Sequence, residues 1–134
     1  MFDAMMAAIE DRGESQEIAL EPAALVGTAR LKIVDRERAV QPWISADGRW
    51  ALCYNGEVFN HRELRSELTG EGHLQRSESD TEVVLEAFLA WGQDALLKFR
   101  GEFAFAIYDR VEQRVFLARD PAGVKPLYWA RRDG

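Results

Sequence analysis

Several residues of this chain are of a type that could do chemistry. Cys53 lies two positions before Asn55 in a strand-like stretch, so both belong to one strand face. A thiol there could act as a nucleophile, but a small cysteine on a strand more often packs as a hydrophobe, and that is the reading adopted. Taken by type alone, Arg30 is a strand-end arginine suited to a surface ion pair. Asn55-Gly56 is a turn pair, and Asp80 is an acid at a helix start, where the dipole favours it. Arg119, Asp120 and Lys125 could cradle a phosphate or form a structural loop closing onto a sheet; the acid beside the arginine favours the loop. His61 and His73 have no cysteine or acid at metal-ligand spacing, so they read as solvated surface and no metal site is expected.

These residues need elements to hold them. Residues 2–12 carry Phe2, Met5, Met6 and Ile9 at helical spacing, and residues 13–22 are polar and end in Pro22, which suggests a loop. Residues 23–34 are rich in small and β-branched types and read as one or two strands. Residues 35–39 form a charge-dense turn before Gln41-Pro42. Asp47-Gly48 marks a hairpin between Trp43-Ile44 and the strand 50–54. Asn60 and Glu63 have capping-box spacing before a helix striped with Leu64 and Leu68 and ended by Gly70 or Gly72. Ser79 and Glu82 repeat that spacing before a helix that stops at Gly92. A short helical piece spans 94–99, and strands follow at 103–108, 114–119 and 126–131. The pattern predicts one α+β domain with mostly antiparallel strands.

Composition narrows the function. The chain has 134 residues, 47% hydrophobic and 30% charged, which is the balance of a folded globular domain. Its 17 basic and 23 acidic residues leave a net charge of -6, which argues against a nucleic-acid binder working through a basic face. The longest apolar run, 103–108, is a strand length, so no membrane span is expected. Asp3, Glu10 and Asp11 leave the first residues unlike a secretory signal. One cysteine excludes an internal disulfide and fits a cytoplasmic protein.

Six motifs in order go further. They are Arg30-Leu31-Lys32-Ile33-Val34-Asp35, Gln41-Pro42, Asn55-Gly56-Glu57-Val58-Phe59-Asn60, Ser79-Asp80-Thr81-Glu82, Gly101-Glu102-Phe103-Ala104-Phe105-Ala106, and the run from Arg119 to Tyr128. Together they resemble the class II glutamine amidotransferase domain, an N-terminal-nucleophile hydrolase, and most closely the glutaminase domain of glutamine-hydrolysing asparagine synthetase. The Arg30–Asp35 motif and Lys125-Pro126-Leu127-Tyr128 favour that branch over the phosphoribosyl-amine and glucosamine-phosphate enzymes.

The resemblance implies a four-layer αββα sandwich with mainly antiparallel sheets, and residues 1–134 as a partial type 2 amidotransferase domain. It implies that Arg30 grips the α-carboxylate of L-glutamine, for which a guanidinium fork is suited. Asn55 and Gly56 become the oxyanion hole, supplying preorganised donors. Asp80 binds the substrate α-ammonium, and Glu57 lies beside the substrate end. No cofactor is expected in this chain; ATP and magnesium belong to a synthetase domain or subunit, the expected partner.

In the family an N-terminal cysteine attacks the amide and its own amine serves as base. Here the sequence opens Met1-Phe2-Asp3, and Asp11-Arg12-Gly13-Glu14-Ser15 stands where the family has His-Arg-Gly-Pro-Asp. The expectation is therefore a domain shortened at both ends, with open sheet edges prone to self-association. The alternative is a pseudo-amidotransferase that binds glutamine or a partner without hydrolysis. Under either, the 134-residue chain should release no glutamate from glutamine in a coupled glutamate assay. Robust release that is lost in Cys53→Ala would contradict this and make Cys53 the nucleophile.

Overall fold

The Asp47-Gly48 turn builds the first strand pairing. Gly48 takes φ +72°, and its N–H donates to Ser45 O at 3.0 Å. The Asp47 carboxylate accepts from the Ser45 hydroxyl and from Arg49 N. The chain reverses between β3 (Trp43–Ile44) and β4 (Trp50–Val58), with Trp43 opposite Leu52. This computed structural model describes residues 2–9, 11, 14–20, 24–30, 40–73 and 75–131.

β4 continues past the expected strand 50–54, through Asn55 and Gly56 to Val58. Asn55-Gly56 is thus strand interior, not a turn. β4 pairs antiparallel along its whole length with β5 (Gly101–Asp109), and β5 pairs with β6 (Arg114–Arg119). The order in this sheet is β3-β4-β5-β6.

Alternation sends Leu52, Tyr54 and Val58 of β4, with Phe103, Phe105 and Ile107 of β5, into one core. Two helices cover that face: α2 (His61–Gly70) through Leu64 and Leu68, and α3 (Asp80–Trp91) through Val83, Val84 and Leu85. Each fully buried aliphatic side chain of this kind contributes roughly 1.5–3 kcal/mol relative to exposure. A 3-10 turn (Gly92–Asp94) and α4 (Ala95–Lys98) lead back to β5. On the opposite face, Ala51 and Tyr108 pack against Ala24, Val26 and Ile44. Ala24 and Val26 belong to β2 (Ala24–Arg30), paired antiparallel with β1 (Glu14–Leu20). α1 (Phe2–Ala7) contacts β2. The contacts run from helices α2 and α3 through two sheets to α1, the αββα order that the resemblance implies.

Four further local expectations change. Residues 14–20 are a strand, not a loop: their register against Ala24–Arg30 overrides the weak strand preference of Glu14, Ser15, Gln16 and Glu17. α1 ends at Ala7 rather than near residue 12. Residues 126–131 are irregular, because no strand among the described residues pairs with them, and Tyr128 and Trp129 are exposed. Neither capping box closes. Asn60 spends its side chain across the fold, donating to Lys98 O and accepting from Arg100 N. Ser79 does cap α3 through Thr81 N, but Glu82 turns to Arg76 and Ser77 instead. The anticipated turn at 35–39 lies outside the described residues.

Asp109 locks the far end of the sheet. Arg49 donates to both its oxygens, Nε at 2.9 Å and Nη2 at 2.6 Å. Val111 and Glu112 add backbone N–H donors. The Arg49 guanidinium foremost, with those amides, holds the carboxyl at about 2, below its ordinary 3.8. The folded value is depressed, so this stabilisation is complete above roughly pH 4 and is lost as pH falls toward about 2. Asp109→Asn should melt lower at neutral pH and lose less of its melting temperature across that acid window. Wild-type and variant melting curves that fall in parallel would contradict the assignment.

Candidate functional site

Four of the five anticipated residues, Asn55, Gly56, Glu57 and Asp80, lie where the C-terminal half of β4 meets the first turn of α3. Alternation places Asn55 and Glu57 on the β4 face opposite the helices, and both are exposed. Asp80 opens α3, directly after its Ser79 cap. Its Oδ2 accepts from the Tyr54 hydroxyl at 2.7 Å and from Val58 N at 3.2 Å. The two donors flank residues 55–57, so Asn55, Gly56, Glu57 and Asp80 are brought to one end of β4. Burial foremost, then the charge of Asp80, pushes the Tyr54 phenol well above its usual value. It therefore remains a proton donor throughout the physiological range.

Gly56 is required here for two physical reasons. Its φ is +146°, and a Cβ would stand 2.0 Å from Glu102 O and 2.6 Å from Phe103 Cα. Two positions along the ladder, where Gly101 faces Val58, a Cβ on Gly101 would stand 2.1 Å from Glu57 O. Side chains are barred from both strands where they cross this closely. Asn55 is thereby carried on a strand packed tightly against β5.

Buried polar groups reinforce the frame. Gln41 is 5% exposed, and its Oε1 accepts from Tyr54 N at 2.8 Å, while its carbonyl accepts from the Thr28 hydroxyl at 3.0 Å. One glutamine thus joins β2 to β4, two residues before Arg30 on one side and one residue before Asn55 on the other. Arg30 is the last residue of β2; its side chain and residues 31–35 of its motif lie outside the described part.

Glu82 is fully buried. Its carboxylate accepts from Arg76 N, Ser77 N and the Ser77 hydroxyl, and pairs with Arg76 Nε at 3.6 Å. It braces the turn that delivers Asp80.

The loop after β6 closes onto the same sheet end. Asp120 accepts from Phe103 N at 3.2 Å, Val124 N at 2.9 Å and Lys125 N at 3.1 Å. Burial alone would raise its carboxyl, but these amides together with Gly123 outweigh it and hold it below the ordinary value. Lys125 Nζ lies 3.6 Å from Glu102 Oε2. Glu102 is opposite Glu57 in the ladder, so the lysine offsets a like-charge cross-strand pair. The segment 119–125 is a structural closure, as its acid suggested.

Cys53 pairs with Ala106 inside the sheet, and burial pushes its thiol up to about 12. Such a group is not a thiolate at neutral pH. The histidines are less solvated than expected: His61 Nδ1 lies 3.0 Å from Val58 O, and His73 Nδ1 lies 3.3 Å from Glu86 Oε2. Among the described residues, no group of three His, Cys, Asp or Glu side chains could hold a metal. None of their helices is long and apolar enough to cross a membrane.

Tyr54, Gln41 and Glu82 were not singled out as functional from sequence. The available signals were a hydroxyl between the apolar Leu52 and Val58, and an acid leading the apolar Val83-Val84-Leu85 run.

Comparison with known proteins supplies a family. The family described as "Glutamine amidotransferase domain" matches residues 1–134. Glutamine-hydrolyzing asparagine synthetase 1 of Bacillus subtilis is 41% identical over 103 residues, covering 77% of this chain and 16% of that protein. A putative glutamine-hydrolyzing asparagine synthetase of Mycobacterium tuberculosis is 42% identical over 113 residues, covering 81% of this chain and 17% of its own length. The chain therefore spans under a fifth of either relative. Among solved structures, glutamine phosphoribosylpyrophosphate amidotransferase from B. subtilis, complexed with ADP and GMP, aligns with a TM-score of 0.60 at 27% identity. That alignment covers 74% of this chain and 23% of the other.

Proposed function

Because the chain belongs to the glutamine amidotransferase domain family, we propose that its β4–α3 cluster binds L-glutamine for hydrolysis of the side-chain amide to glutamate and ammonia. In this reading the ammonia serves amide formation by a synthetase of the asparagine synthetase type, in line with the relatives' names. The observation that carries the reading is the Asp80 carboxylate. Tyr54 and Val58 saturate Oδ2, and Oδ1 receives no hydrogen bond among the described residues. A half-satisfied carboxylate at the same end of β4 as Asn55 and Gly56 suits an α-ammonium in charge.

The remaining roles follow from chemistry. The Arg30 guanidinium holds the substrate α-carboxylate in a bidentate fork. The Asn55 carboxamide and the Gly56 N–H donate to the oxygen of the scissile amide as it gains negative charge, and a preorganised backbone makes those donors effective. The close strand crossing at Gly56 provides that preorganisation. Glu57 lines the amide end of the substrate. The attacking nucleophile is assigned to no residue of this sequence, Cys53 included, so the role proposed for these residues is to bind glutamine and stabilise its amide, and no metal or cofactor is assigned to them. ATP and magnesium would serve the synthetase chemistry, and the partner of this domain is a synthetase domain or subunit. We place the domain in the cytoplasm, with the acidic surface of a protein that uses neither nucleic acid nor membrane.

Titration calorimetry of the full chain with L-glutamine tests the reading. Asp80→Asn keeps the Oδ2-side acceptor geometry but removes the charge. A charge-assisted hydrogen bond is worth roughly 1.5–3 kcal/mol, so glutamine affinity should fall on the order of tenfold or more. An affinity unchanged from wild type would overturn the assignment of Asp80.

A further inference from the structure

We infer that Tyr54 is a positioning residue for the substrate amine, acting through Asp80 and never touching the substrate itself. The inference rests on the glutamine reading above and adds to it the part that sets selectivity for an α-amino acid. Tyr54 is buried on the helix-facing side of β4, with its ring in the main core. Its hydroxyl crosses from that core to Asp80 Oδ2 and makes the shorter of the two bonds there, 2.7 Å against 3.2 Å from Val58 N. A carboxylate anchored at one oxygen by two donors from a rigid strand cannot turn about its terminal torsion without breaking both. Oδ1 is then fixed in one direction, and it is the oxygen left without a protein donor.

The strand itself is immobilised at this residue. Tyr54 N donates to the buried Gln41 side chain, and two positions on, Gly56 passes too close to β5 for any side chain. The phenol is therefore a fixed donor rather than a floating one. It also takes part of the cost of holding a charged carboxylate at a half-buried helix start. Without its hydroxyl, Oδ2 would keep only the longer Val58 bond, and the carboxylate could rotate to share its charge with water or with the free amides of the first turn of α3.

The consequence is specific. Loss of the hydroxyl should weaken recognition of the amine and leave recognition of the carboxylate and the amide unchanged. Calorimetric titration of the full chain with two ligands separates these. L-Glutamine carries the amine; glutaramate carries the same carboxylate and amide without it. In Tyr54→Phe the ring and its core contacts remain. Glutamine affinity should fall about three- to tenfold, less than for loss of a direct bond to the ligand because the hydroxyl acts only through Asp80, while glutaramate affinity is unchanged. Equal losses for both ligands would make Tyr54 a packing residue and overturn the inference. So would an unaltered glutamine affinity. Asp80→Asn, titrated alongside, tells the two levels apart. If it weakens glutamine and Tyr54→Phe does not, the positioning role fails and the glutamine reading stands. If Asp80→Asn leaves glutamine binding intact, the reading fails and the inference with it.

Discussion

The Asp80 carboxylate joins the two halves of the structure that the site needs. It belongs to the first residue of α3, yet two donors from β4 hold its Oδ2, one from the Tyr54 side chain and one from the Val58 backbone. A helix start and a strand end are thereby locked at atomic distance, 22 to 26 residues apart in sequence. Nothing in hydrophobic packing alone would set that register, because apolar contact is non-directional. The core places α3 over the sheet; the carboxylate decides where its first turn stops.

The same device recurs around the site. Glu82 gathers the amides of Arg76 and Ser77, Gln41 ties Thr28 to Tyr54, and Asp120 gathers the amides of Phe103, Val124 and Lys125. Each is a buried acceptor satisfied mainly by backbone N–H groups. Burial of such groups is costly unless they are paired, so each tolerates one arrangement of its loop and penalises others. The result is a set of irregular segments anchored to the strands and helices by buried hydrogen bonds. A site that stabilises developing charge depends on such anchoring, since donors that must reorganise lose much of their effect.

Local chemistry was legible in the sequence where neighbours in the chain are neighbours in space. The hairpin at Asp47-Gly48, the stripe of Leu64 and Leu68, the Ser79 cap and strand β6 all depend on residues a few positions apart. Motif order picked out Asn55, Gly56, Glu57 and Asp80, and the structure places them near one end of β4; the roles given to them are those proposed above. What stayed hidden depends on distant partners. β1 is a strand because β2 lies beside it, not because Glu14-Ser15-Gln16-Glu17 prefers one. Asn60 forgoes its helix cap for carbonyl and amide partners near residue 99. Tyr54 looked like one more core aromatic until its hydroxyl was seen to end on Asp80.

The central claim is that the end of β4 and the start of α3 form one subsite for the α-amine of glutamine. A crystal structure of the full chain soaked with L-glutamine tests it most directly. The account requires the ammonium within hydrogen-bond distance of Asp80 Oδ1, with Oδ2 still bonded to Tyr54 and the side-chain amide lying toward Asn55 and Gly56. Glutamine bound elsewhere, or bound here with its amine turned away from Asp80, would contradict it.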